Sequence, residues 1–245
     1  MIQANIIYLP KSNKSIKVTE KVERSIKTYI PGIEVHRFAG VDKYNVWQKY
    51  IDSKLKLKDV NRFGGGHLDA ELAIFFSHME LWKKAIHLNT NILVLEHDAV
   101  FSRNVLLYDL DSFKGDVLNL GAPNWSFNHW KPELKQWAKQ WEGKGIVFRK
   151  YCNKGHIPEV MMHQQPCFCD STFLYGAHAY VITPKGASKL IKGTKKGILP
   201  ADLFISQDLV KIHDLLPHAS VQDRGFTLIQ RYATTKNLEI NAWDY

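Results

Sequence analysis

An α/β fold follows from three features of the 245-residue sequence. Ile92-Leu93-Val94-Leu95 is an unbroken apolar run, the pattern of a strand buried on both faces as in a parallel sheet. Just ahead of it, residues 69–87 place Leu72, Phe75, Phe76, Met79, Trp82 and Ile86 at helical spacing. Nearer the N-terminus a helical pattern over Val18–Ile30 is followed by a strand-like Val35–Phe38, so helix and strand alternate twice.

Taken in order, the first helix carries Val22, Ile26, Tyr29 and Ile30 on one face, and Pro31-Gly32 ends it. Gly64-Gly65-Gly66 has neither the Lys-Ser/Thr of a phosphate loop nor the spacing of a dinucleotide fingerprint, and reads as a flexible connection able to fold over a ligand. Asp69 is the expected N-cap of the helix over 69–87. The apolar strand then stops on Glu96-His97-Asp98. Ligand crevices of open α/β sheets lie outside the carboxyl ends of the strands. Two readings of this acidic pair follow: hard oxygen ligands for a divalent cation beside a phosphorylated ligand, or an acidic turn that caps the next segment.

Four of the seven tryptophans, Trp125, Trp130, Trp137 and Trp141, fall in one segment. Pro132–Glu142 reads as a short helix with Leu134, Trp137 and Trp141 facing the core. Trp125 and Trp130 sit in loop-like sequence beside Asn124, Asn128 and His129, a mixture of indole faces and hydrogen-bonding groups that suits a sugar ring, or that anchors loops. The whole chain, 1–245, is expected to form one domain, with 121–168 as a Trp-rich insertion on the acceptor side.

The formal net charge is +9. Its lysines concentrate in Lys11-Lys14-Lys17, Lys54-Lys56-Lys58 and Lys185-Lys189-Lys192-Lys195-Lys196. A solvated basic face is the first reading, attraction toward a diphosphate or an anionic glycolipid at a membrane surface the second. No nucleic-acid motif accompanies the runs, and no nucleic-acid partner is expected. The three cysteines, Cys152, Cys167 and Cys169, lack metal-finger spacing and read as reduced thiols. No apolar run approaches a membrane span, and the first strand begins too near Met1 to follow a leader. The expected location is cytoplasmic, with peripheral attachment to a membrane as the alternative.

Helix and strand together resemble the core signature of the family 25 glycosyltransferases, which include lipooligosaccharide and collagen galactosyltransferases. Ser77-His78, Leu81-Trp82 and Glu96-His97-Asp98 occupy the places of the family's Ser-His, Leu-Trp and Glu-Asp-Asp, and Gly176–Ala187 is similar to its second block. Asn5–Pro10 resembles the family's opening strand, Ala39–Asp42 the loop after its second, and Leu199–Asp202 and Pro217–Gln222 its closing segments. Two departures stand out: Ala73-Ile74 where relatives carry Gly and Cys, and His97 in place of the middle acid.

The resemblance implies a GT-A type, Rossmann-like nucleotide-sugar-binding fold, with a central mixed sheet flanked by helices. It implies transfer with inversion of a hexose, most often galactose from UDP-galactose, onto a hydroxyl of a glycan or glycolipid acceptor, with Mn²⁺ or Mg²⁺ as cofactor. Asp98 and Glu96 are the implied metal ligands, and Tyr8, Asp42, Ser77, His78, Glu96 and His97 the donor-side residues. Trp125 and Trp130 are the acceptor-side candidates. Asp202 is the first candidate for the general base, its other reading being a helix cap, and Asp170 is the second. The alternative function is a non-catalytic relative that binds glycans or acidic surfaces through a degenerate Glu-His-Asp motif.

Overall fold

A computed structural model of the chain describes residues 1–58, 68–122, 145–148, 173–174, 176–216 and 218–223. Gly64 to Gly66, the Trp-rich stretch from Trp125 to Trp141, the three cysteines and Asp170 lie outside the described residues.

A seven-stranded mixed sheet forms the centre. Its strands are β1 (Gln3–Tyr8), β2 (Glu34–Ala39), β3 (Ile92–Glu96), β5 (Val117–Asn119), β7 (Gly145–Phe148), β8 (Ala179–Ile182) and β9 (Ile212–Leu216). They lie side by side as β2-β1-β3-β8-β5-β9-β7. β2, β1 and β3 run parallel, β8 runs against both β3 and β5, and β9 is parallel to β5. A second sheet of three short strands, β4 (Ala99–Phe101), β6 (Gly121–Ala122) and β10 (Ser220–Gln222), stands beside it in the order β4-β10-β6. The helices are α1 (Asn13–Tyr29), α2 (Val46–Ser53), α3 (Leu68–Leu88), α4 (Leu107–Asp111), α5 (Pro184–Gly193) and α6 (Ala201–Phe204), with a 3₁₀ turn at Thr194–Lys196.

Alternation along β3 explains its apolar run. Ile92 and Val94 join a core with Leu72, Phe75, Phe76 and Trp82 of α3, while Leu93 and Leu95 join the opposite core with Val22 and Ile26 of α1. A sheet covered on both faces has no side to leave polar.

The helix expected over 18–30 begins earlier, at Asn13. Ser12 caps it by accepting the Ser15 N–H at 3.1 Å, and the Lys14–Lys17 turn carries little apolar periodicity. Its end agrees with the Pro31-Gly32 signal, with Gly32 at φ +86°. α3 starts at Leu68, which puts Asp69 inside the first turn, where its Oδ1 accepts the Ala70 N–H at 2.8 Å, rather than at the cap. Ile86, assigned by spacing to the apolar face, is exposed. The buried arc runs instead through Leu81 and Ala85, because α5, α2 and α6 pack on α3 as well as the sheet.

α5 is seated tightly on the entry to β5. Thr183 caps the helix through Gly186 N–H (3.1 Å) and donates its own hydroxyl to Gly115 O (2.9 Å). Buried Asp116 accepts from Lys189 Nζ at 2.5 Å and from Lys211 N–H at 2.9 Å. A Cβ on Gly186 would stand 2.3 Å from Asp116 O, a backbone atom that cannot swing aside. Gly186→Ala is therefore expected to destabilise the fold by about 1–3 kcal/mol through overpacking. Urea denaturation would show this as a lowered midpoint with an unchanged slope, whereas Lys185→Ala on the exposed side should leave the midpoint in place.

Candidate functional site

Strand direction decides where side chains with chemistry gather. β1, β2, β3, β5 and β9 all point the same way, so their carboxyl ends share one edge, and antiparallel β8 starts there. Tyr8, the loop to Asp42, the Glu96-His97-Asp98 turn, Asn119 and His178 are carried to that edge by five different strands. At Asp98 the chain also leaves the large sheet for the small one.

Behind Glu96 runs a buried chain of hydrogen bonds. The Trp82 indole N–H donates to the Tyr180 hydroxyl at 2.8 Å, and that hydroxyl lies 2.9 Å from His78 Nδ1. His78 Nε2 lies 3.4 Å from Glu96 Oε1. An indole can only donate, so the tyrosine oxygen accepts from it; an ionised carboxylate can only accept, so the Glu96 contact takes the His78 Nε2–H, and in a neutral ring Nδ1 is left to accept the Tyr180 hydroxyl hydrogen. His78 then carries its proton on Nε2 and presents it to the carboxylate. The His78 and Tyr180 rings also stack, 5.7 Å apart and 13° from parallel.

Burial pushes the Glu96 carboxyl up, but the His78 hydrogen bond and the imidazoles of His78, His178 and His97 outweigh it, and Glu96 ends below the ordinary carboxylate value. Burial drives the His178 imidazole down, offset only in part by Glu96 and by the Gly176 and Ser220 backbones. His178 is held from several sides. Its Nδ1 is 2.8 Å from Gly176 O, its carbonyl accepts the Glu96 N–H at 2.8 Å, and its ring lies where a Cβ on Gly121 would be, 2.5 Å away. Tyr180 is fully buried and its phenol is pushed far up by that burial.

Asp98 is 2% exposed. Its carbonyl accepts N–H groups from Asp223 at 2.9 Å and Val100 at 3.1 Å, while Lys21 pairs with the Asp223 carboxylate. Gln222, matched in sequence without an assigned chemistry, sits in β10 opposite Ala99 and so helps fix this turn.

Ser77 and Asp42 are brought together through a backbone latch. Ser77 Oγ accepts the Val41 N–H at 2.9 Å and donates to Ala73 O at 2.7 Å, while Gly40 N–H reaches Tyr8 O at 2.8 Å. The loop after β2 is thus tied to both α3 and β1. Asp42 Oδ1 accepts the Tyr44 N–H at 3.0 Å, and its Oδ2 lies 3.3 Å from Lys11 Nζ. Tyr8 is half-buried at the end of β1.

Asp202 lies in the first turn of α6, where Pro200 rather than Asp202 holds the cap position. Phe204 of the same turn stacks on Trp82 (5.8 Å between ring centres, 17° apart), so α6 rests on the far end of the Glu96 hydrogen-bond chain. Asp170, Trp125 and Trp130 fall outside the described residues.

A second polar cluster on the same edge was not singled out in the sequence. Asn119 Nδ2 donates to Asp214 Oδ1 at 2.8 Å and lies 3.3 Å from His218 Nε2, and Asn119 Oδ1 accepts the Gly121 N–H at 3.0 Å. The only local signal for it was the Asn-Leu-Gly at the end of a short apolar run; register brings in the rest.

Among the described residues no three His, Cys, Asp or Glu side chains form a ready cage for a metal ion. The donor set nevertheless suits a hard divalent cation of the Mn²⁺ or Mg²⁺ type. Such ions take one or two carboxylates and complete their shell with water and substrate phosphates. An ionised Glu96 and a buried Asp98 two residues on supply that pair of carboxylates. No helix among the described residues is long and apolar enough to cross a membrane.

No curated protein matches the chain. Among solved structures, mouse xyloside xylosyltransferase 1 in its apo form superposes with a TM-score of 0.41 at 10% identity, over 85% of this chain and 81% of that one. Residues 4–205 match the model of glycosyltransferase family 25, described as LPS biosynthesis protein. That match takes in β1, the α3–β3 unit, the Glu96-His97-Asp98 turn and α6, and the chain belongs to glycosyltransferase family 25.

Proposed function

We propose that this glycosyltransferase moves a hexose, galactose from UDP-galactose, with inversion onto a hydroxyl of a glycan acceptor of the lipooligosaccharide kind, with the fold acting as a GT-A type nucleotide-sugar scaffold. One observation carries the reading. An ionised Glu96 and a buried Asp98 flank a single turn at the edge where five strands deliver their polar ends.

Asp98 and Glu96 would hold a divalent cation, Mn²⁺ or Mg²⁺. Bound there, it supplies positive charge to the diphosphate leaving group as the anomeric bond breaks. The protein's own groups do the positioning. His78 holds one Glu96 oxygen, leaving the other for the donor side. His97, part-exposed in the turn, is assigned to the diphosphate, and Tyr8 and Asp42 to the nucleoside. Ser77 serves the donor through the loop that it latches. Asp202 is the proposed base that takes the acceptor proton, with Asp170 as second choice and Trp125 and Trp130 as the acceptor platform.

Calorimetric titration of UDP with and without Mn²⁺ tests the assignment. Wild-type protein should bind UDP in a Mn²⁺-dependent manner, and Asp98→Asn, which keeps the shape, should weaken that binding at least tenfold, about 1.4 kcal/mol. UDP binding indifferent to both metal and mutation would overturn the donor assignment. Turnover of UDP-galactose against UDP-glucose then decides the sugar.

Tyr180→Phe removes one oxygen and leaves both the Trp82 N–H and His78 Nδ1 in the core without their shared partner. The expected cost is about 1–3 kcal/mol of stability, read by urea denaturation. Mn²⁺-dependent UDP affinity should also fall, because His78 loses the bond that fixes its tautomer. Unchanged values for both would mean that the chain of hydrogen bonds does not position Glu96.

A further inference from the structure

Two lysine runs that lie some 140 residues apart in the sequence meet in the structure. Leu57 bridges Ile198 in parallel register; Ile198 N–H donates to Lys56 O at 2.8 Å, and Lys58 N–H to Ile198 O at 2.9 Å. Gly197 permits the contact: its φ is +101°, and a Cβ there would press on Lys58 Cβ at 3.1 Å and Lys56 O at 3.2 Å. Leu55 and Leu57 pack on the core, which turns Lys56 and Lys58 outward by strand alternation. Lys54, Lys56, Lys58, Lys192, Lys195 and Lys196 are all exposed, and none forms an ion pair among the described residues. Lys189, one turn away on α5, is by contrast paired with Asp116.

The surroundings of this patch are apolar. Lys58 and Lys196 line a cavity of about 530 Å³ together with Leu199, Leu203 and Leu209, and Asp208 is the acidic residue on its wall. The helix that runs directly into Lys54 exposes two large side chains, Trp47 at 46% and Ile51 at 65%, and Tyr44 in the turn before it is 72% exposed, with Lys11 and Lys43 over its ring. Positions 47 and 51 are four residues apart on the helix and so share one face. Cations with no partner, exposed aromatic and aliphatic side chains, and an apolar cavity between lysines are the chemistry of an interface with lipid. Trp47 could serve as a stacking platform for nucleic acid, but the exposed Ile51 on the same helix face fits lipid and not a base.

We propose that the face built from α2, the Lys54–Lys58 segment and the Lys192–Lys196 turn docks onto an anionic lipid bilayer. Trp47 and Ile51 enter the headgroup boundary, and the joined lysines lie over lipid phosphates. The proposal rests on charge, exposure and the Leu57–Ile198 junction, and stands independently of the donor assignment.

Co-sedimentation of the full chain with vesicles tests it, using phosphatidylcholine alone or mixed with phosphatidylglycerol, at low and high salt. Binding should require phosphatidylglycerol and fall steeply with salt. Lys56→Glu with Lys196→Glu should weaken it at least tenfold. Lys17→Glu with Lys27→Glu, an equal charge change on α1, should weaken it less than threefold. Trp47→Ser with Ile51→Ser should weaken it at least tenfold at constant net charge. Thermal melting and UDP binding should be unchanged in the two lysine pairs, which separates this surface from the donor site. Equal loss in both lysine pairs would reduce the effect to net charge and overturn the proposal. Equal binding to both vesicle types, no vesicle binding, or tighter binding to single-stranded nucleic acid than to vesicles would overturn it as well.

Discussion

The Tyr180 hydroxyl ties the α3 helix to the sheet at the back of the site. It accepts from Trp82, donates to His78, and through His78 reaches Glu96 at the end of β3. Trp82 and His78 are on α3, Tyr180 on β8 and Glu96 on β3, so one oxygen fixes how the longest helix lies against the sheet. A buried polar group is costly when unmatched and strongly orienting when matched. Here the match is directional at both ends, since the indole can only donate and an ionised Glu96 carboxylate can only accept. Phe204, stacked on the same indole, extends the constraint to α6 and to the turn that carries Asp202. The rear wall of the site is therefore one interlocked piece of core.

How much of this could be read beforehand varied with the range of the contacts. The α3–β3 unit was legible because each element carries a strong periodicity of its own, and because β3 is covered on both faces. The start of α1 was not, since its first turn is held by the Ser12 cap and has few apolar residues to mark it. The second sheet could not be foreseen. Its strands are only two or three residues long, and β4 finds β10 across more than a hundred residues. Ile86 shows the opposite failure, in which spacing was right for a helix face but neighbouring helices decided which face was covered.

The site follows the same division. Glu96, Asp98 and His78 were visible as a motif because two of them share a turn and the third sits on the preceding helix. Beyond the Asn-Leu-Gly at the end of β5, Asn119, Asp214 and His218 carry no shared local signature and are assembled by the pairing of β5 with β9. Ser77 was placed beside the donor on the strength of the motif, and the structure gives its hydroxyl a backbone task between Ala73 and Val41. The lysine runs were plain as composition, yet their junction depends on a single bridge and on a glycine with positive φ. Short-range chemistry is written in the sequence; what it meets is written in the register.

The groups around Glu96 bear on why a histidine can stand within its acidic triplet. Three imidazoles, those of His78, His178 and His97, keep the carboxyl ionised against the pull of burial. An arginine or lysine in their place would also do so, but would leave a fixed positive charge facing any cation brought to the turn. An imidazole N–H orients a carboxylate by hydrogen bonding without needing a fixed charge, and burial drives His178 toward its neutral form. Under the proposed reading, the Glu96 geometry is set by the His78 hydrogen bond rather than by a permanently charged side chain facing the divalent ion. The backbone supports the same division of labour: Glu96 N–H and Asp98 O are satisfied by His178 and Asp223. The Glu96 carboxylate, whose hydrogen bond goes to His78, is not consumed in capping its own turn.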